Sequence, residues 1–397
     1  MLQKLFGMKT DRRQKLYEAF CSLPAAVKNP LIHAACWLGR RHVRTLATPP
    51  RLIWYVTSRC NARCSHCFFG RQLNQAGELS LEEFRTVVRS LRTRVRSVTL
   101  TGGEPFLRND LPALCRALAE INGADLVTLP TNGFLPERIE AMLREILGTA
   151  ELNVNVQVSL DGTREVHDAI RGLAGSYDRA VETVRRFKRM KSEKGGGPVS
   201  LRLNNVSVIT TLCRQNESCL PELVRFVREE LGVFHKFQFV RGAHTDVFGI
   251  RPEALSELDP FRPEKPNDIA GVTRFLSAEI LRHDQSLLAR RQVELLRQAA
   301  AIILDNTRTV DCLAGRIDGV IYANGDVALC ELTRPFANLR DYGLDFAKLW
   351  NGAEAEAMRS ETRQCFCTHP CNLSTSMSFD PATLKRLSKP LAAGGRE

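Results

Sequence analysis

No stretch of the 397-residue chain is long, apolar and uncharged enough to cross a bilayer as a helix. Its first residues also lack an apolar run followed by a small-residue cleavage site. Neither a membrane span nor a secretory signal is therefore indicated, and a cytoplasmic location is expected. A disulfide framework is missing too: thirteen cysteines is an odd number, and most fall into one N-terminal triplet and one C-terminal group. That clustering argues for metal ligation in a reducing compartment. What is present suffices for a large core and a small second domain, with 44% hydrophobic and 25% charged residues.

The triplet is Cys60, Cys64 and Cys67, in Tyr55-Val-Thr-Ser-Arg-Cys-Asn-Ala-Arg-Cys-Ser-His-Cys-Phe-Phe-Gly70. A cubane cluster normally takes four thiolates, so a group of three leaves one iron open. Zinc held by the three cysteines and His66 is the alternative. The C-x3-C-x2-C spacing, directly after the strand-like run Leu52–Val56, resembles the signature of the radical S-adenosylmethionine (radical SAM) superfamily. The resemblance implies a [4Fe–4S] cluster whose open iron chelates SAM. One electron would then break the sulfonium bond, and the 5′-deoxyadenosyl radical would take a hydrogen atom from substrate.

Strand-like runs at Leu52–Thr57, Ser97–Leu100, Asp125–Leu129, Leu152–Val158, Ser200–Ile209 and Phe234–Val240 alternate with helix-like segments. The latter, Leu81–Leu91, Asp110–Glu120, Pro136–Leu147, Tyr177–Lys191 and Pro221–Leu231, have apolar residues every three or four positions. Six βα units predict a parallel, curved sheet with its site at the carboxyl ends of the strands. Four polar signatures fall there. The cysteine loop follows the first strand, Thr101-Gly-Gly-Glu-Pro105 the second, Thr131-Asn-Gly133 the third, and Ser159-Leu-Asp-Gly162 with His167-Asp-Ala-Ile-Arg-Gly172 the fourth.

These match elements of the same superfamily, particularly its peptide-modifying and SPASM-bearing branches. The resemblance implies that Gly102, Gly103 and Glu104 hold the SAM amino group. It places Ser159 and Asp161 on the ribose hydroxyls, Arg171 near the carboxylate, and Phe68 or His66 against the adenine. Asn132 is a further candidate. An Asx turn for Asn132 and a helix N-cap for Asp161 are the alternatives. Asn205, Gln238 and Arg241 on the later strands could face the cavity or only satisfy neighbouring backbone.

A proline-bearing stretch (Pro252, Pro260, Pro263, Pro266) and a helix-like run from Val272 to about Leu304 lead to the second cysteine group: Cys312, Cys330, Cys365, Cys367 and Cys371. Ala323-Asn-Gly-Asp326 reads as a hairpin turn, which would draw Cys312 and Cys330 together. Gly325 and Cys330, with Phe336-Ala-Asn-Leu and Leu349-Trp-Asn-Gly352, resemble the SPASM or twitch extension of radical SAM enzymes. A full SPASM domain carries more cysteines. Five thiols suit one auxiliary [4Fe–4S] cluster with one to spare, and a zinc knot including His369 is the alternative. Cys21, Cys36, Cys115, Cys213 and Cys219 read as buried thiols.

Residues 1–51 are strongly basic, with apolar residues at helical spacing. Two amphipathic helices split near Pro24 and Pro30 are expected, either on an anionic membrane surface or packed on the barrel. The net charge of +12 favours an anionic partner; nucleic acid is not expected.

The expected fold is an α/β partial (β/α)6 TIM-like barrel with a small C-terminal α+β cluster-binding extension and an N-terminal helical segment. Its divisions are a basic segment (1–50), barrel (51–245), linker and long helix (246–310), cluster domain (311–380) and flexible tail (381–397). The expected activity is radical SAM hydrogen abstraction, an oxidoreductase or transferase-type chemistry, from a sugar, lipid or other small metabolite. A reductant such as flavodoxin or ferredoxin would supply the electron. Maturation of a ribosomally made peptide is the alternative, although too little sequence precedes the barrel for the winged-helix leader-binding domain often fused to such enzymes. A non-catalytic iron–sulfur carrier or sensor is a third reading, from which the SAM-binding elements argue away.

Overall fold

Val154, Val156 and Val158 are fully buried and alternate with the half-buried Asn155, Gln157 and Ser159, so the fourth strand gives one face to a core and the other to a polar interior. The computed structural model of the chain describes residues 10–193, 202–241, 247–255 and 264–389, with side chains from residue 15. These residues fall into two compact units that interleave along the chain. One takes residues 46–267 and 314–365, the other residues up to 45, 268–313 and 366 onward.

The larger unit is built on β1 (Arg51–Thr57), β2 (Ser97–Gly102), β3 (Leu126–Thr131), β4 (Asn153–Ser159), β5 (Leu203–Leu212) and β6 (Phe234–Phe239), side by side in chain order and all parallel. Helices follow the strands: α3 (Leu81–Ser90), α4 (Leu111–Ala117), α5 (Pro136–Thr149), α6 (Arg164–Arg171), α7 (Ser176–Ser192) and α8 (Leu220–Phe226). The apolar stripes of α3, α4, α5, α7 and α8 meet the valine faces of the strands in one continuous core that includes Phe84, Leu114, Leu143, Val184 and Phe187, while Ile170 of α6 packs with Cys213 and Val240. This is the expected partial (β/α)6 barrel. Helix α3 starts where it does because Ser80 and Glu83 form a capping box, each side chain bonding the other's backbone N–H at 3.2 and 2.8 Å.

The sheet continues past β1 into the C-terminal part of the same unit. Strand β7 (Asp318–Ile321) lies parallel to β1, and β8 (Asp326–Ala328) and β9 (Ala337–Asn338) add in antiparallel order. The β7–β8 connection is the expected Asn-Gly hairpin. Gly325 takes φ +92°, which a side chain resists, and Tyr322 N–H donates to Asp326 O at 2.8 Å.

The smaller unit is helical at its N-terminal end, with α1 (Thr10–Ser22) and α2 (Ala25–Arg44), joined by α9 (Ile269–His283), α10 (Leu287–Asp305), α13 (Pro370–Met377) and α14 (Pro381–Leu387). The larger unit also carries α11 (Phe346–Trp350) and α12 (Ala353–Glu361).

Several expectations shift. Pro30 lies inside α2 and does not split it; the break falls at Pro24, which takes the N-cap position, where its missing N–H costs nothing. The continuous run from Val272 to Leu304 is two helices, because the Asp284 carboxylate takes the Ser286 N–H at 2.8 Å and Ser286 then caps α10. Residues 381–387 are not a flexible tail: Asp380 caps α14 through Thr383 N–H at 2.7 Å, and Thr383 and Leu387 are buried. The fifth strand begins at Leu203 and extends to Leu212. Residues 1–9, Pro260, Pro263 and residues 390–397 lie outside the described residues.

Candidate functional site

The cysteine loop is held by backbone from the turn after β2 and from the end of α6. Thr57 O and Arg59 O accept from the N–H groups of Gly103 and Glu104 at 2.9 and 2.8 Å, strapping the start of the loop to the Gly-Gly-Glu turn. A Cβ on Gly102 would fall on Thr57 O, and one on Gly103 on Arg59 O; Gly102 also takes φ +135°. Farther along, Arg63 N–H and Ser65 N–H donate to Arg171 O and Ile170 O at 3.3 and 2.8 Å, at the end of α6. Cys60 N–H reaches Asn74 Oδ1 at 3.3 Å, and Cys67 N–H reaches Cys64 O at 3.1 Å. The three thiols are half-exposed. Burial pushes the Cys60 thiol up to about 12, so its thiolate forms with a metal and not before it.

Asp161 and Arg171, two of the expected SAM-binding residues, meet each other. Their oxygen and nitrogen lie 2.6 Å apart, the Asp161 side chain fully buried and that of Arg171 nearly so. Burial would raise the Asp161 carboxyl, but Arg171, His66 and His167 outweigh it and hold it below the usual range. Its other oxygen accepts from Thr211 N–H at 2.9 Å, and the Asp161 N–H donates to His167 Nδ1 at 3.0 Å. Asp161 is thus engaged by Arg171 and Thr211, and it is not the cap of α6, whose N-cap is Thr163. Its charge serves to hold Arg171. The other arm of that guanidinium donates to Cys64 Sγ at 3.4 Å.

Glu104 is also turned inward. Its carboxylate accepts from Thr131 Oγ1 at 2.9 Å, Asn132 N–H at 2.7 Å and Phe106 N–H at 3.3 Å, bracing the ends of β2 and β3. Burial pushes it up to about 7 despite these bonds. Asn132 forms the Asx turn, with Oδ1 accepting from Phe134 N–H at 3.0 Å, while its amide donates to Asn61 in the cysteine loop at 2.8 Å. Ser159 is half-buried at the last position of β4. Gln238 donates to Thr211 at 3.1 Å.

Residues 54–227 match the family model described as the radical SAM superfamily. These residues form a radical SAM domain. A pre-heme d1 synthase from Dinoroseobacter shibae is 32% identical over 195 residues, covering 46% of this chain and 44% of that protein. Mycofactocin maturase MftC from Mycobacterium tuberculosis is 39% identical over 144 residues, 36% of this chain and 35% of that protein. The chain spans less than half the length of these curated relatives. The solved structure of Streptococcus suis SuiB bound to S-adenosylmethionine has the same fold at TM-score 0.55 and 14% identity, over 81% of this chain and 70% of that one. Native anSMEcpe with bound AdoMet matches at TM-score 0.54 and 15% identity, over 85% and 97%.

In this radical SAM domain the residues around the triplet fit the cluster of the family: three half-exposed cysteines on one braced loop, one of them beside a buried guanidinium. Of the C-terminal cysteines, Cys330 and Cys365 belong to the larger unit and Cys312, Cys367 and Cys371 to the smaller. Within the smaller unit Cys312 and Cys367 line a small cavity with Asn372, whose amide oxygen and nitrogen are buried with no hydrogen-bond partner. An orphaned amide beside two thiols fits a bound polar or metallic group there.

The sequence did not single out the cluster around Glu331. Tyr55 O–H donates to the Glu331 carboxylate, Arg241 pairs with the same carboxylate at 3.5 Å, and the Arg241 guanidinium lies 4.3 Å from the centre of the Phe68 ring. Phe68 follows Cys67 and Glu331 follows Cys330, a juxtaposition no local pattern announces. Phe68 thus stacks on Arg241. His66, expected against adenine, sits 3.8 Å from Asp161.

Three buried histidines make the stability of the protein depend on pH. Burial holds His66 and His167 down to about 4 and His235 to about 3, from 6.5. Between pH 4.5 and 6.5 the unfolded chain therefore takes up protons on these rings that the folded chain refuses, whereas Glu104 in the folded chain keeps one proton that the unfolded chain releases. The histidines outnumber the glutamate, so stability rises with pH across this window, by on the order of a few kcal/mol. Urea unfolding at the two ends of the window should show the gain, and His235→Gln should reduce it. A flat profile in the wild-type chain would refute this account.

Proposed function

We propose that the chain is a radical SAM maturase acting on a peptide, and that a small reductant such as flavodoxin or ferredoxin supplies its electron. The observation that carries this reading is the 39% identity to mycofactocin maturase over 144 residues. The fold shared with SuiB, also solved bound to its precursor peptide SuiA (TM-score 0.54, 15% identity), is compatible with it. These likenesses favour a peptide over the sugar, lipid or small metabolite expected first.

Cys60, Cys64 and Cys67 would hold the SAM-cleaving cluster. When bound, cluster and SAM supply a 5′-deoxyadenosyl radical that removes a hydrogen atom from substrate. The chain's own part is to hold the loop rigid through Gly102 and Gly103, keep Arg171 charged beside Cys64, and offer the polar edge of β4 at Ser159 to the cofactor. The C-terminal cysteines would hold an auxiliary [4Fe–4S] cluster.

A second reading rests on two relatives named for tetrapyrroles. The pre-heme d1 synthase and an Fe-coproporphyrin III synthase from Methanosarcina barkeri, 33% identical, each match over 46% of the chain.

The test is anaerobic reconstitution with dithionite and SAM, on wild type and on Cys60→Ala/Cys64→Ala/Cys67→Ala. Wild type alone should form 5′-deoxyadenosine, and the triple variant should retain about four irons. Short peptides encoded beside the gene should lose hydrogen, read by mass spectrometry, only with wild type. Modification of an iron porphyrin with every peptide unchanged would transfer the function to the second reading. Zinc in place of iron would sink both.

A further inference from the structure

Helix α2 is apolar on two opposite faces. Lys28, Ile32, Cys36 and Val43 are its buried side. Lys28 is not wasted there, since its Nζ donates to Cys21 O at 2.9 Å and Ser388 O at 3.0 Å. The opposite side, where a surface helix normally carries charge, instead carries Val27, Leu31, Ala34 and Leu38 at i, i+4, i+7 and i+11, with Trp37 beside them. Trp37 is 60% exposed, Leu38 57%, Leu31 51% and Val27 50%. A row of large apolar side chains over several turns is not scattered surface hydrophobicity and calls for an occupant.

Charge indicates which occupant. α2 contains no Asp or Glu, and its last turn carries Arg41, His42 and Arg44. Arg41 and Arg44 are exposed, and the Arg41 guanidinium stacks 5.6 Å from the Trp37 ring. Over residues 1–51 ten lysines and arginines face only Asp11 and Glu18. A second copy applying the same face would bring like charges together. An anionic bilayer suits every part of it: aliphatic side chains enter the acyl boundary, tryptophan sits at the headgroup level, and arginine stems lie along the apolar surface with their charges among phosphates. No helix among the described residues is long and apolar enough to cross the membrane, so the contact would be peripheral.

We propose that the exposed face of α2, centred on Leu31, Trp37 and Leu38 and rimmed by Arg41 and Arg44, docks this protein on an anionic membrane surface. The proposal is independent of the substrate, because it rests on residues of the smaller unit alone.

The test uses the full chain and two kinds of vesicle, phosphatidylcholine alone and phosphatidylcholine with phosphatidylglycerol. Flotation should recover the protein with the anionic vesicles, less so as salt is raised. Leu31→Glu/Leu38→Glu should lower the partition coefficient about tenfold or more. Trp54 and Trp350 are buried, at 1% and 3% exposure, so a blue shift of tryptophan emission on anionic vesicles reports Trp37. Arg41→Gln/Arg44→Gln, which leaves the apolar row intact, should weaken binding to anionic vesicles only.

Protein that stays unbound to anionic vesicles at low salt while folded by circular dichroism overturns the proposal. So does a concentration-dependent dimer, without vesicles, that Leu31→Glu/Leu38→Glu abolishes, for then a second copy covers the face.

Discussion

Asp161→Ala is expected to lower the unfolding free energy by about 3–5 kcal/mol, because it strands a buried guanidinium without its counter-charge. Arg171 lies 2.6 Å from the Asp161 carboxylate, with both side chains nearly sealed from solvent, and its other arm donates to a thiol at 3.4 Å. The variant also leaves the Thr211 N–H without the acceptor it had at 2.9 Å, which adds to the loss. Two further variants separate these causes. Asp161→Asn keeps an acceptor for Thr211 but removes the charge, and should fall between wild type and Asp161→Ala. Asp161→Ala/Arg171→Met removes both charges and should recover a large part of the stability, since replacing a buried pair by apolar groups is often neutral. Denaturant unfolding of the metal-free protein measures all three. A loss below about 1 kcal/mol for Asp161→Ala, the value of an exposed pair, would mean the pair is wet and the buried arrangement wrong.

Gly103→Ala should unseat the cysteine loop. The added methyl would meet the Arg59 carbonyl with Ser58 O close by, and backbone cannot swing aside as a long side chain does. Relief requires Arg59 to move, which breaks the Glu104 N–H bond to Arg59 O at 2.8 Å and shifts Cys60, the next residue. Overpacking of this kind costs about 1–3 kcal/mol, and the displacement acts directly on a cysteine proposed to hold the cluster. Iron bound after reconstitution should drop by the share of the first cluster, while the iron of the proposed auxiliary cluster is kept. Gly148→Ala is the control, because a Cβ there meets nothing within 4 Å. Full iron loading in Gly103→Ala would show that the loop has slack that this structure lacks.

Much of this could be read along the chain. The six βα units stand out because strand and helix periods differ, 2 against 3.6, and the barrel keeps them in chain order. The Cys60, Cys64 and Cys67 loop is legible because its spacing is local, and the Asn-Gly hairpin because only certain residues accept its backbone angles. Asn132 shows the limit: the sequence allowed both an Asx turn and a cofactor contact, and the structure shows the Phe134 N–H already bonded to its side chain. The break between α9 and α10 was missed because apolar periodicity runs through Asp284 and Ser286, while their side chains stop the helix.

What the sequence by itself determined is whatever depends on neighbours a few residues apart: the radical SAM domain, the strand order, the glycines at the strand-end turn and the clustering of thiols. Tertiary structure alone decided where the charges go. Asp161 and Glu104 stand in motifs that suggest open ligand contacts, yet folding buries both carboxylates, one against Arg171 and the other across two strand ends. Burial and the company of a distant side chain set the state of an ionisable group. Neither is written in local spacing, so a motif can say which residues gather at the site and only the packed fold says which of them face it.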